Sequence, residues 1–206
     1  MKTPYSPEVA EQIRAKDEQL QQLRRELLAL KRDAAMPVQD YTLTRHDGTT
    51  QKLSEAFGDR DQLVLIHNMG FRCPYCTMWA DGFNGLWRYV ARRAGFVLVS
   101  NDDPEKQARG AQARGWTFPM LSAQGTTMFE DLGFRSTEPG DDETQYGADW
   151  PGVSTLRRNA DGSLERVAAD FFGPGDLYNS AWHFFDLLAD AREDIEPTEG
   201  LSDQQV

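Results

Sequence analysis

Leu63-Val64-Leu65-Ile66 is an uninterrupted apolar run, and a glycine-containing turn joins it to Cys73-Pro74-Tyr75-Cys76 at the start of a helical pattern. A run of this kind reads as a strand covered on both faces, as in a parallel sheet, so the chain after it must supply covering helices. It does: apolar positions at Trp79, Phe83, Leu86, Trp87 and Val90 keep helical spacing to about Arg93, despite Gly82 and Gly85. Gly95 to Ser100 then reads as a second buried strand, and Pro104 to Arg114 as a polar helix. Strand, helix, strand and helix in alternation predict an α/β domain with a parallel core.

This setting gives the two cysteines, the only ones in the chain, their chemical meaning. A cysteine at a helix N-terminus faces unpaired backbone N–H groups and the positive end of the helix dipole, which favours its thiolate. Cys76, one turn further on, is placed to close a disulfide with Cys73. Pro74 fits the first helical position, where its missing N–H costs nothing. The motif therefore points to dithiol redox chemistry, and Pro-Tyr between the cysteines resembles the active-site motif of glutaredoxins. Two other readings compete. One is half of a zinc site, which would need ligands that further cysteines do not supply; the other is an inert pair in a scaffold without redox function. No metal and no cofactor is expected.

At 206 residues with 39% hydrophobic content, the chain fits one domain with extensions. A formal charge of −11 argues against nucleic acid or an anionic membrane as partner, since both call for a basic face. No segment approaches a membrane-spanning length, and the first residues lack the apolar core of a signal peptide. The expected location is the cytoplasm, where a Cys pair is more often catalytic than structural.

Ser6-Pro7-Glu8 reads as a helix start, with Ser6 as N-cap. Val9, Ile13, Lys16, Leu20, Leu23, Leu27 and Leu30 then follow at alternating steps of four and three among polar residues, up to Met36-Pro37. Residues 1–36 thus form an amphipathic helix that either packs on its own domain or pairs with a second copy in a homodimer. Residues 37–191 form the main domain, and 192–206 an acidic flexible tail.

Within the main domain, Asp40 to Thr44 and the return after Asp47-Gly48 predict a short strand pair, with His46 solvated beside the turn. Ser54 is expected to cap a single turn through Phe57. Phe118 to Ser122 reads as a strand, Ala123 to Phe134 as a turn and short helix, and Ser136 to Asp149 as a mobile acidic loop. Val153 to Leu156 and Leu164 to Val167 flank a turn at Asp161-Gly162, which predicts an antiparallel hairpin, and a closing helix capped by Asp176 is expected through Ala191.

This element order resembles the thioredoxin-like fold, a central mixed sheet flanked by helices, from about Tyr41 to Ala191, with an N-terminal part like that of peroxiredoxins. The long N-terminal helix ending at Met36-Pro37, Asp40-Tyr41, Trp79 to Gly85, Gly115-Trp116 before Phe118-Pro119, and Pro151-Gly152-Val153 resemble a bacterial thioredoxin-like family, domain of unknown function 899. The resemblance implies a fold and no established reaction. It also implies that Trp150-Pro151 is a cis peptide against Cys73, with Pro119 as the rival position. Pro74, Tyr75, Trp150 and Pro151 would then line the substrate.

Two departures set the expected chemistry. Peroxiredoxins carry Thr three residues before the peroxidatic Cys and Pro four residues before that; here those places before Cys73 hold Gly70 and Ile66, and before Cys76 hold Cys73 and Met69. Thioredoxins carry a buried carboxylate six residues before the first Cys, where this chain has His67, and Arg72 stands where they have Trp. The expectation is a thiol–disulfide oxidoreductase acting on a disulfide-containing protein or a small thiol or peroxide substrate. Cys73 would be the nucleophile, Cys76 the resolving thiol, and Arg72 and His67 would activate Cys73. The alternatives are a thiol peroxidase using the same pair and a non-catalytic thioredoxin-like binding protein.

Overall fold

The computed structural model describes residues 4–33, 35–141 and 147–189. Helix α1 (Pro7–Asp33) starts as its sequence predicts: Ser6 Oγ accepts the Val9 N–H at 3.3 Å, and Pro7 holds the first position. The chain then forms β1 (Met36–Val38), β2 (Thr42–Thr44), β3 (Thr50–Lys52), a 3₁₀ turn (Leu53–Phe57), β4 (Gln62–His67), α2 (Pro74–Val90) and β5 (Gly95–Ser100). There follow α3 (Pro104–Arg114), β6 (Met120–Ser122), α4 (Met128–Asp131), β7 (Gly152–Arg158), β8 (Leu164–Phe171) and α5 (Ala181–Phe185).

One sheet runs in the order β1-β8-β7-β4-β5-β6-β2-β3. Its centre, β4-β5-β6, is parallel, as the buried apolar runs require, and α2 and α3 make the two crossovers. β7 lies antiparallel to β4 with Gly152 opposite His67, so the residues leading into β7 share an edge with the residues leaving β4.

Strand alternation divides the core into two layers. Leu63 and Leu65 of β4, with Val97 and Val99 of β5, face a layer of Leu43, Leu53, Phe57, Met128, Phe129 and Phe134. Ile66, Phe96 and Leu98 face the other way, onto α2, α3 and Trp182, and both cysteines belong to this second layer. Two polar residues of α2 fix the chain after α3. Asp81 accepts from Trp116 Nε1 at 2.7 Å and Arg114 Nη1 at 2.9 Å, and Asn84 binds the Thr117 N–H at 2.9 Å and the Gly115 carbonyl at 3.0 Å.

Several local expectations are corrected. Met36-Pro37 does more than end the helix: it enters β1, an edge strand on β8, where a proline without an N–H is tolerated. Ser54 does not cap its turn; its N–H and hydroxyl bind the Asp40 carboxylate, both at 2.8 Å, and tie the turn to the residues before β2. His46 is half-buried rather than solvated, with Nε2 enclosed, and burial lowers its pKa. Asp176 caps no helix. Its carboxylate instead accepts the N–H groups of Gly173, Tyr178 and Asn179, and the helix that follows spans only Ala181–Phe185. No cis peptide bond occurs among the described residues, so Trp150-Pro151 is trans, although β7 starts where expected. The middle of the acidic loop and the tail 192–206 lie outside the described residues. Among the described residues no helix is long and apolar enough to cross a membrane.

Candidate functional site

The loop leaving β4 is held by backbone-directed polar groups. The Asn68 N–H continues the parallel ladder to the Val99 carbonyl at 2.9 Å, its Oδ1 accepts the Gly70 N–H at 2.7 Å, and its Nδ2 reaches the Cys76 carbonyl at 3.3 Å. Gly70 adopts φ +88°, and a Cβ there would stand 2.4 Å from Asp102 Oδ2, so only glycine lets the chain pass. Asp102 then accepts the Phe71 N–H at 2.8 Å and pairs with Lys106 at 2.8 Å. The Phe71 ring stacks on Trp116, centroids 5.2 Å apart. Pinned in this way, the loop delivers Cys73 to the N-cap of α2 with its own N–H bonded to the Gly70 carbonyl at 3.1 Å.

At that position Cys73 Sγ accepts the Cys76 N–H at 3.2 Å, one of the N–H groups that a helix start leaves without an internal partner. Its pKa is lowered, first by the Cys76 side chain, which donates a hydrogen bond to it, then by backbone N–H groups of Cys76 and Tyr75 and least by Arg72; burial works the other way. Cys76 is raised well above the ordinary thiol value by burial and by the same contact with Cys73. The pair is therefore asymmetric: the charged form is favoured at Cys73 and disfavoured at Cys76. Both residues are buried, Cys73 being 3% exposed, and the sulfurs are not bonded to each other.

The other sequence-predicted residues divide. Pro74 is the first residue of α2, and Tyr75 is half-buried with its ring 6.3 Å from both Trp79 and Trp182. Trp150 and Pro151 come to the same sheet edge through the β4–β7 register. Trp150 is 52% exposed, with its N–H on the Phe134 carbonyl at 2.7 Å and its ring edge toward Phe171. Arg72 does not reach the sulfur. Its guanidinium lies 3.7 Å from Asp149, so it acts on Cys73 only as the weakest of the favourable charges.

His67 is not brought to the cysteines. It shares the β4 face of Leu63 and Leu65, the face turned away from α2. There its ring stacks on Phe134 at 3.7 Å and meets the edge of Phe129, with Nε2 within 2.9 Å of Ser154 Oγ and Nδ1 without a hydrogen-bond partner. Burial, aided by the charge of Arg166, lowers its pKa to about 3. It is a neutral core residue, and the proton-acceptor role expected for it is withdrawn.

Asp149 is a site residue that sequence reasoning does not find. Its buried carboxylate accepts from Arg135 Nη1 at 2.7 Å and Asn101 Nδ2 at 2.9 Å, and faces Arg72 on its other side. Nothing in the acidic stretch separates it from Asp141 or Asp142. An isolated antiparallel bridge pairs it with Arg135, and it is buried there.

Residues 8–203 match a family described as bacterial protein of unknown function (DUF899). The chain belongs to this family. The DUF899 chain is also 37% identical over 91 residues to a Mycobacterium tuberculosis protein provisionally named a peroxiredoxin, an alignment covering 43% of this chain and 58% of that protein. It thus spans little more than half the length of the curated relatives it matches. Among solved structures it resembles peroxidoxin BcpB from Mycobacterium tuberculosis at TM-score 0.52 and 25% identity, over 66% of this chain and 84% of that one. It also resembles reduced Prx3 from Vibrio vulnificus in complex with hydrogen peroxide, at TM-score 0.53 and 15% identity over 69% and 88%. The DUF899 chain therefore has the thioredoxin-like, peroxiredoxin-like fold that its sequence resemblance implied.

Proposed function

We propose that the protein is a thiol–disulfide oxidoreductase in which Cys73 is the nucleophile and Cys76 the resolving thiol. The observation that carries this reading is the asymmetry of the pair: the Cys73 sulfur accepts the Cys76 N–H at 3.2 Å at the helix start, which favours its charged form, while burial disfavours the charged form of Cys76. The Cys73 thiolate attacks one sulfur of a substrate disulfide, forming a mixed disulfide and expelling a thiolate. Cys76 then attacks Cys73 Sγ, expels the second substrate sulfur, and leaves the Cys73–Cys76 disulfide; its proton passes to a departing thiolate. An external thiol or dithiol reductant restores the reduced pair. The partly exposed Trp150, together with Pro151, Pro74 and Tyr75, would form the contact surface for the substrate.

A second reading, reduction of a peroxide by the same pair, is favoured by the peroxiredoxin-like relatives and by the burial of Cys73, which a small oxidant would reach more easily than a protein disulfide. Against it stands Gly70, where those enzymes carry a threonine hydroxyl. Turnover of a small aromatic disulfide and of hydrogen peroxide, each with an external dithiol, separates the two. Disulfide turnover that is lost in Cys73→Ser and arrested as a mixed disulfide in Cys76→Ser supports the first reading. Turnover of peroxide alone replaces it with the second, and turnover of neither removes both.

A further inference from the structure

Helix α1 is 27 residues long, about 40 Å at the helical rise, and none of its residues is buried. Only its last turns are anchored: Leu28, Lys31 and Arg32 line a cleft against β7 and β8, and Lys31 pairs with Asp170. The apolar seam ending in Leu20, Leu23, Leu27 and Leu30 lies roughly a third of a turn away from that anchoring side, at about 100° per residue. Leu23 is 61% and Leu30 67% exposed. A monomer leaves this seam in water along the whole helix, and its strict alternation of three and four residues is the spacing that a second helix fills.

We propose that the seam takes a second copy of this chain in antiparallel orientation, with Leu20 opposite the partner's Leu23. Charge decides the orientation. In a parallel pair Lys16, which interrupts the seam, meets its own copy in the same layer, and the only flanking ion pair is Glu26 with the partner's Lys31, a lysine already held by its own Asp170. In the antiparallel pair Lys16 lies over the partner's Leu27, its stem covering the leucine and its ammonium free to reach water. Ile13 meets the partner's Leu30, and Asp17 stands opposite the partner's Arg24, twice by symmetry. Sliding the pair by one heptad would set Arg24 against the partner's Arg24 or, in the other direction, Asp17 against the partner's Asp17, so the flanking charges also favour this register. The assembly is independent of the redox reading.

Sedimentation of the full chain over a concentration series tests the proposal. A dimer is expected, and a doubly substituted Leu20→Glu, Leu23→Glu chain, altered only at exposed positions, should be monomeric with an unchanged near-UV spectrum. The charge pattern is tested separately. Asp17→Arg alone, or Arg24→Asp alone, should weaken the dimer about tenfold, and an equimolar mixture of the two variants should recover it as a mixed dimer. A monomeric wild-type protein at about 100 µM, well above the concentrations at which specific dimers form, would overturn the proposal. So would a dimer that survives both glutamates. A dimer dissociated by the glutamates but indifferent to both charge changes would overturn the antiparallel register, because in the parallel pair Asp17 and Arg24 face only glutamines.

Discussion

His67 and Cys73 are separated by six positions and leave the same strand end, yet their surroundings are opposite in kind. His67 lies between Phe134, Phe129 and Ser154 in the layer beneath the sheet, where burial makes its charged form costly and lowers its pKa to about 3. Cys73 is as well covered, but the Cys76 thiol donates to it and it stands at the start of α2, where N–H groups add to this, so its charged form is stabilised and its pKa lowered despite burial. Burial alone therefore does not decide whether a titratable group is charged; the fixed dipoles that replace water do. A residue's value as an activator depends likewise on which face of the strand it leaves, and the period of two places His67 on the wrong one.

The largest effect should come from the helix-end partner. Cys73→Ser is expected to reduce turnover of a small disulfide by at least about 10³-fold, since a hydroxyl at this position cannot serve as leaving group or as a stabilised anion. Steady-state assays with an external dithiol measure this, and retained turnover would transfer the nucleophile's role elsewhere. His67→Ala should act on the opposite quantity. Removing a stacked, fully buried imidazole is expected to cost about 2–4 kcal/mol in chemical denaturation while leaving the pH dependence of Cys73 alkylation in the folded protein unchanged. If that alkylation profile moved instead, the separation of the two faces would be refuted.

The same histidine carries a pH signature. Its folded pKa lies below the unfolded value near 6.5, so below that pH the unfolded chain binds a proton that the fold refuses, and stability falls as pH drops from about 6.5 toward 3. His67→Phe, which keeps a ring in place, should flatten the slope in this window by up to about 1.4 kcal/mol per pH unit. Denaturation midpoints at pH 7 and pH 4.5 for the two proteins would reveal an unchanged slope, and with it a histidine less desolvated than its surroundings imply.

Smaller still is the contribution of the charges at the site's rim. Asp149→Asn leaves Arg135 and Arg72 without a carboxylate between them and is expected to cost about 1–3 kcal/mol. Arg72→Ala should raise the alkylation midpoint of Cys73 only slightly, because Arg72 is the least of the favourable influences on that thiolate. A large rise would make the Arg72 charge, rather than the Cys76 thiol and the helix-end N–H groups, the principal activator.

Much of the fold is legible in the amino-acid sequence because its periodicities are local. The apolar runs at Leu63 to Ile66 and Phe96 to Val99 read as buried strands, the spacing from Trp79 to Val90 as a helix, and Asp161-Gly162 as a hairpin turn. Both cysteines at a helix start follow from the same periodicities, since an N-terminus presents its N–H groups whatever packs around it. The features that escape depend on pairing across the chain. β1 exists because β8 offers a free edge, and α5 stops at Phe185 although the apolar pattern continues through Leu187 and Leu188, both of which are exposed.

The amino-acid sequence by itself determined the dithiol at the head of α2, the parallel centre of the sheet and the heptad seam of α1, because each rests on spacing within one segment. Only the tertiary structure decided that His67 faces away from the sulfurs, that Arg72 turns to Asp149, and that Asp149 is buried. The physical reason is common to all three. Which face a side chain takes, and which distant charge meets it, follows from strand register and from contacts between segments far apart in the chain, and these are settled only when the whole sheet closes around its two layers.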